Sequence, residues 1–149
     1  MTTTYTPDFS LSRDQRLFTG GEKRILALDG GGIRGLISLG ILKRIEETLG
    51  AAAGRPDSFA LADYFDLIAG TSTGSIIASA LAMGWRVERV HDLYKSLGPT
   101  LFPTTRVKGL FKFRRKADAL QQILRENLCE GENAGDGPPM TFESSKLKT

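Results

Sequence analysis

The sequence predicts an α/β fold with a mainly parallel central sheet, and two observations carry that expectation. Two short apolar runs, Arg24-Ile25-Leu26-Ala27-Leu28 and Leu67-Ile68-Ala69, have the length and composition of buried parallel strands. Each run ends in a glycine-containing turn and is followed by a segment with apolar residues at helical spacing. Strand, tight turn, helix, strand, tight turn, helix is the order that right-handed crossovers convert into a parallel sheet covered by helices.

The remaining elements follow in chain order. Residues 1–22 are polar, carry Pro7 and Gly20-Gly21 and show no clear period, so they read as a flexible N-terminal arm or a loosely docked segment ahead of a domain over 23–149. The first strand runs into Asp29-Gly30-Gly31-Gly32-Ile33-Arg34-Gly35. Leu36, Leu39, Ile41, Leu42, Ile45 and Leu49 then fall at helical spacing, with Gly50 as the expected stop. An Ala/Gly/Pro linker to Asp57 leads to a short helix or turn over 59–65. The second strand enters Gly70-Thr71-Ser72-Thr73-Gly74, and Ser75 to Met83 is a nearly all-apolar helix closed by Gly84. A further helix is expected over 87–97, with Val87, Val90, Tyr94 and Leu97 on one stripe and Gly98-Pro99 ending it. Residues 101–116 are irregular, basic and aromatic, 117–128 suggest another helix, 130–139 a Gly/Pro loop, and 140–149 the approach to a further strand.

Composition narrows the function classes. A chain of 149 residues is the size of one domain with one core. Its 40% hydrophobic and 25% charged content suits a soluble globular protein. The net charge of +3 is too mild for a nucleic-acid partner. Cys129 is the only cysteine, which excludes an intrachain disulfide and a cysteine-rich metal site. The N-terminal residues lack the basic start and apolar run of a secretory signal, and no apolar stretch approaches the roughly 20 residues that span a bilayer. The expected location is cytoplasmic, with any membrane contact peripheral.

Gly70-x-Ser72-x-Gly74 between an apolar strand and an apolar helix has the context of a nucleophile elbow. There the flanking glycines leave room for a strained serine whose hydroxyl stands above the sheet, at a helix N-terminus that favours developing negative charge. The plainer reading of the same residues is that Thr71, Ser72 and Thr73 cap the helix.

The glycine-rich turn admits three chemistries, since successive N–H groups of such a loop converge into an anion-binding nest. Gly30-x-Gly32-x-x-Gly35 fits a dinucleotide fingerprint, but no strand-ending acid follows at the required distance, because residues 47–57 are a helix end and a linker. A phosphate loop of the Walker type lacks its Gly-Lys-Ser/Thr, and a sugar-kinase loop would turn into a hairpin where a helix is expected. An oxyanion hole remains, and it gains from a candidate serine on the next strand. In an open α/β sheet the site forms at the carboxyl ends of strands, where both turns lie.

Asp29-Gly30-Gly31-Gly32-Ile33-Arg34-Gly35, followed by Phe65-Asp66-Leu67-Ile68-Ala69-Gly70-Thr71-Ser72-Thr73-Gly74, resembles the start of a patatin-like phospholipase domain. The resemblance is close over residues 24–84 and looser beyond. It implies a three-layer α/β/α fold and a serine-dependent lipid acyl hydrolase with a Ser–Asp dyad, without metal or cofactor. Ser72 would be the nucleophile, and the N–H groups of Gly30, Gly31 and Gly32, with that of Thr73, would hold the oxyanion. Asp29, Arg34, Gly35, Gly70 and Gly74 would support the motifs. Asp29 is expected to brace the loop through backbone hydrogen bonds; Arg34 orients the loop, meets an anionic headgroup, or is simply solvated. The only histidine, His91, is expected on a helix surface, which agrees with a dyad that needs none.

The family's aspartate belongs to a later Asp-Gly-Gly or Asp-Gly-Ala motif. The downstream candidate is Asp136-Gly137-Pro138, in a Gly/Pro loop with no strand before it and proline in place of the small residue. The expectation is therefore a domain truncated on its C-terminal side, with the true base beyond the chain and activity reduced accordingly. The alternative is a catalytically incomplete lipid-binding or regulatory module of the same fold. The implied partner is a phospholipid or other acyl lipid, with residues 101–116 as a peripheral membrane contact through their aromatic and basic side chains.

Overall fold

A computed structural model describes residues 11–101, 121–122, 124–127 and 147–149. Strands β1 (Ile25–Leu28) and β2 (Leu67–Gly70) pair in parallel, with Ile25 opposite Leu67 and Leu28 opposite Gly70. Around them stand helices α1 (Arg13–Phe18), α2 (Gly35–Ala52), α3 (Thr73–Ala82) and α4 (Val87–Leu101), with single 3₁₀ turns at Gly32–Arg34 and Leu61–Asp63.

The helical layer carries the stability. Leu39 and Leu42 of α2, Ile77 and Leu81 of α3, and Val87, Val90 and Tyr94 of α4 close with Leu61 and Ile68 into one core. Each fully buried Leu, Ile or Val contributes about 1.5–3 kcal/mol, whereas a two-stranded sheet alone is marginal in water. The apolar residues of α3 lie all around its axis, and the helix is accordingly buried against both strands. At the lower end of the sheet, the buried Asp66 carboxylate accepts the Arg24 N–H at 2.8 Å and fixes where pairing begins.

Several boundaries depart from the sequence reading. Within the segment read as an arm, α1 forms on a capping box: Ser12 Oγ accepts the Gln15 N–H and the Gln15 side chain accepts the Ser12 N–H. None of its residues is buried, and Arg16 ties it down by donating to the carbonyls of Ala62 and Lys148. Gly50 does not end α2, which continues to Ala52. A Cβ at Gly50 would lie 3.1 Å from that of Phe59, so this glycine permits close packing, and Gly54 takes the positive φ (67°) after the helix. Helix α4 continues past Gly98-Pro99 to Leu101. Residues 121–122 and 124–127 are helical, within the span expected to be a helix. The expectations for residues 102–116, for Asp136 and the loop around it, and for residues 140–146 lie outside the described residues.

Candidate active site

The two glycine-flanked turns meet at the carboxyl ends of β1 and β2. Thr71 N–H extends the ladder by donating to Leu28 O at 3.0 Å, so both turns leave the sheet at one level. Gly74 makes the next approach possible: a Cβ there would stand 2.9 Å from the carbonyl carbon of Asp29. The first turn of α3 therefore rests directly on the end of β1, and Ser72 comes to lie beside the glycine loop. A Cβ at Gly30 would fall 2.6 Å from Ser72 Cβ and 2.7 Å from Thr71 O, so only glycine fits at that position.

Ser72 has φ 50° and ψ −128°, and among the described residues it alone of the non-glycine residues has positive φ. Such a conformation costs on the order of 1–3 kcal/mol and persists only where neighbours impose it. Here the neighbours are β2, α3 and the glycine loop. The capping reading of this serine does not hold: although Ser72 is the N-cap of α3, its side chain makes no capping hydrogen bond. Its hydroxyl is exposed and has no hydrogen-bond partner among the described residues, while Ser75 Oγ donates to the Ser72 carbonyl instead.

The glycine loop presents its donors as a cluster. Gly31 N–H and Gly32 N–H both point at Thr73 Oγ1, at 3.3 and 3.2 Å, and Gly30 N–H donates to Thr71 Oγ1 at 3.2 Å. Two amides converging on one oxygen is the arrangement of an anion nest, with a hydroxyl oxygen as its present occupant. Gly32 reaches it with a φ of 60°. The Thr73 N–H belongs to the first turn of α3, where a helix leaves its amides without intrahelical acceptors. An oxygen acquiring negative charge above Ser72 would meet backbone donors and the positive end of a helix.

Not every sequence-predicted residue joins the cluster. Asp29 is exposed and its carboxylate accepts no hydrogen bond among the described residues, so it does not brace the loop. That work falls to the hydroxyls of Thr71 and Thr73 and to Tyr94, whose hydroxyl donates to Gly32 O. Arg34 is exposed within the 3₁₀ turn, and its guanidinium has no partner among the described residues. Gly35 is buried against the Tyr94 ring, and Gly70, part-exposed, packs closely on the Gly74 backbone. His91 lies part-exposed on α4, 3.9 Å from its neighbour Asp92, and makes no hydrogen bond to Ser72. No group of three or more metal-ligating side chains occurs among the described residues, and none of their helices is long and apolar enough to cross a membrane. The role of Tyr94 was invisible in the sequence, where it reads as one more residue of an apolar stripe, 62 positions from its partner.

The profile of the patatin-like phospholipase family matches residues 26–135, which include the glycine loop and the serine turn. The chain is 41% identical over 103 residues to the cUMP-AMP-activated phospholipase of Escherichia coli, a match covering 69% of this chain and 28% of the relative. It is 44% identical over 124 residues to Patatin-like protein 1 of Oryza sativa subsp. indica, covering 74% and 30%. With Patatin-T5 of Solanum tuberosum the identity is 33% over 113 residues, covering 71% and 28%. The chain thus spans less than a third of the length of these relatives. No solved structure matches it. The chain belongs to the patatin-like phospholipase family and has that family's three-layer α/β/α fold.

Proposed function

We propose that this chain carries the nucleophile and oxyanion loop of a serine-dependent lipid acyl hydrolase acting on phospholipids or related acyl lipids. The observation that supports it best is Ser72 itself: a strained, uncapped serine at a helix N-terminus, packed against a loop whose amides converge. Ser72 Oγ attacks the ester carbonyl, and its proton passes to the aspartate of the family's Ser–Asp dyad. Within this sequence the candidate for that base is Asp136, which lies outside the described residues. The N–H groups of Gly31, Gly32 and Thr73 receive the oxyanion once the Thr73 hydroxyl rotates away. A single donor of this kind is worth about 2.7–4 kcal/mol in the transition state. Arg34, exposed and uncommitted among the described residues, is available to an anionic headgroup. The relatives named as phospholipases support the same substrate class. Catalysis at a membrane surface from the cytoplasmic side, with residues 101–116 as the contact, completes the reading.

Labelling with a fluorophosphonate ester tests it directly, because that reagent reports an activated serine with a working oxyanion site. The expected result is stoichiometric modification of the chain and none of Ser72→Ala. Modification that survives in Ser72→Ala would assign the reactivity elsewhere. A folded chain that takes no label would be inert as given, leaving a lipid-binding or regulatory module or a hydrolase whose base lies outside this sequence.

A further inference from the structure

We propose that Tyr94 is a positioning residue for the oxyanion loop, an inference that rests on the reading of Ser72 as nucleophile. Two independent contacts lead there. The Tyr94 hydroxyl donates to Gly32 O, the carbonyl that also accepts the Gly35 N–H, so both lone pairs of that oxygen are engaged. The Tyr94 ring lies against Gly35: a Cβ at that position would stand 2.7 Å from Tyr94 Cζ. One side chain thus fixes both ends of the 3₁₀ turn into which the loop runs, and Gly32 adopts its positive φ between the oxyanion amides and that anchor. Gly35 is explained by this contact, with no need for a dinucleotide.

The anchor is itself held. Tyr94 is 1% exposed, two turns along α4 from Val87. The start of α4 is fixed by Glu46 of α2, whose carboxylate oxygens accept the Val87 N–H at 3.1 and 3.2 Å. Helix α2 begins directly after the glycine loop and carries Glu46 three turns further on. Loop, α2, Glu46, α4 and Tyr94 therefore form a closed brace that returns to the loop. Tyr94 touches no reacting atom in this scheme; it acts through the orientation of the Gly31 and Gly32 amides.

Tyr94→Phe isolates the hydroxyl, since the ring keeps its packing and Gly32 O keeps the Gly35 amide. Three quantities are measured on the chain and on this variant: the second-order rate of fluorophosphonate labelling at Ser72, the thermal midpoint, and NMR-resolved amide exchange. Loss of one loop-orienting hydrogen bond is expected to slow labelling roughly fivefold to tenfold. Exchange at Gly31 and Gly32 is expected to accelerate with the rest of the core unchanged. Wild-type labelling and wild-type loop exchange together would overturn the proposal. So would a loss of protection spread evenly through the core, which would make Tyr94 a packing residue only. If the wild-type chain takes no label while Tyr94→Phe still loosens Gly31 and Gly32, the brace stands and the chain is inert as a hydrolase.

Discussion

At φ 50° and ψ −128° the Ser72 backbone holds strain that a substitution can measure. Its cost is on the order of 1–3 kcal/mol because the Cβ crowds the backbone in that region. Glycine has no Cβ and adopts such angles freely, but its looser unfolded chain takes back about 0.5–1 kcal/mol. Ser72→Gly is therefore expected to stabilise the chain by about 1 kcal/mol, seen in urea unfolding or as a rise of about 2–4 °C in the thermal midpoint. Ser72→Ala keeps the Cβ and hence the strain, and loses no hydrogen bond among the described residues, so its midpoint should stay near that of the wild type. The pair separates strain from hydroxyl chemistry, since both variants lose the nucleophile and only one gains stability. Equal midpoints for the two would mean that the elbow is not strained in solution.

Among the helices, the contact that most depends on protonation is the one between α2 and α4. Glu46 is 4% exposed, and burial pushes its carboxyl above the ordinary value of 4.5, with the Val87 amide and the Arg86 guanidinium offsetting only part of that. Folding therefore takes up a proton in the window between 4.5 and the raised value. The stability this group contributes is fully present below 4.5 and is lost as pH rises through the window, after which it is level. Glu46→Gln cannot ionise and still offers an oxygen to Val87, so the wild type should lose stability relative to this variant across that window. Urea unfolding of both proteins at a series of pH values reads the difference; a gap that does not change with pH would refute the assignment. Glu46 also marks where sequence reasoning ran out. The strands, the start of α2 and the body of α3 were legible because apolar spacing sets which face is buried, although α3 begins at Thr73, two residues before the expected Ser75. The two turns were legible because glycines follow closely on two apolar runs, each leading into a segment of helical spacing. Glu46, Tyr94 and the hydroxyls of Thr71 and Thr73 were not, because their partners lie 41 or more positions away in the chain and no local pattern encodes those pairings. Gly50 misled for the same reason, since its role is set by Phe59 across a turn and not by its own helix.

For the whole molecule, the sheet raises the largest question of balance. Parallel strands are ordinarily covered on both faces. Here the face bearing Leu26, Leu28 and Ile68 meets the core, while on the opposite face Ile25 is 60% exposed and Leu67 41% exposed, with Ala27 and Ala69 exposed between them. An apolar sheet face beside strand edges that have no further partner among the described residues favours self-association. The double substitution Ile25→Thr with Leu67→Thr places β-branched side chains at both strand positions and removes exposed apolar surface. Its expected cost in stability is below about 1 kcal/mol, set against about 2–5 kcal/mol for Leu39→Ala at a site 1% exposed. Sedimentation velocity at increasing concentration should show the wild type associating and the double variant remaining monomeric. If the double variant is instead destabilised as much as Leu39→Ala, that face is buried in solution, and the two-stranded sheet is part of a larger layer that shelters it.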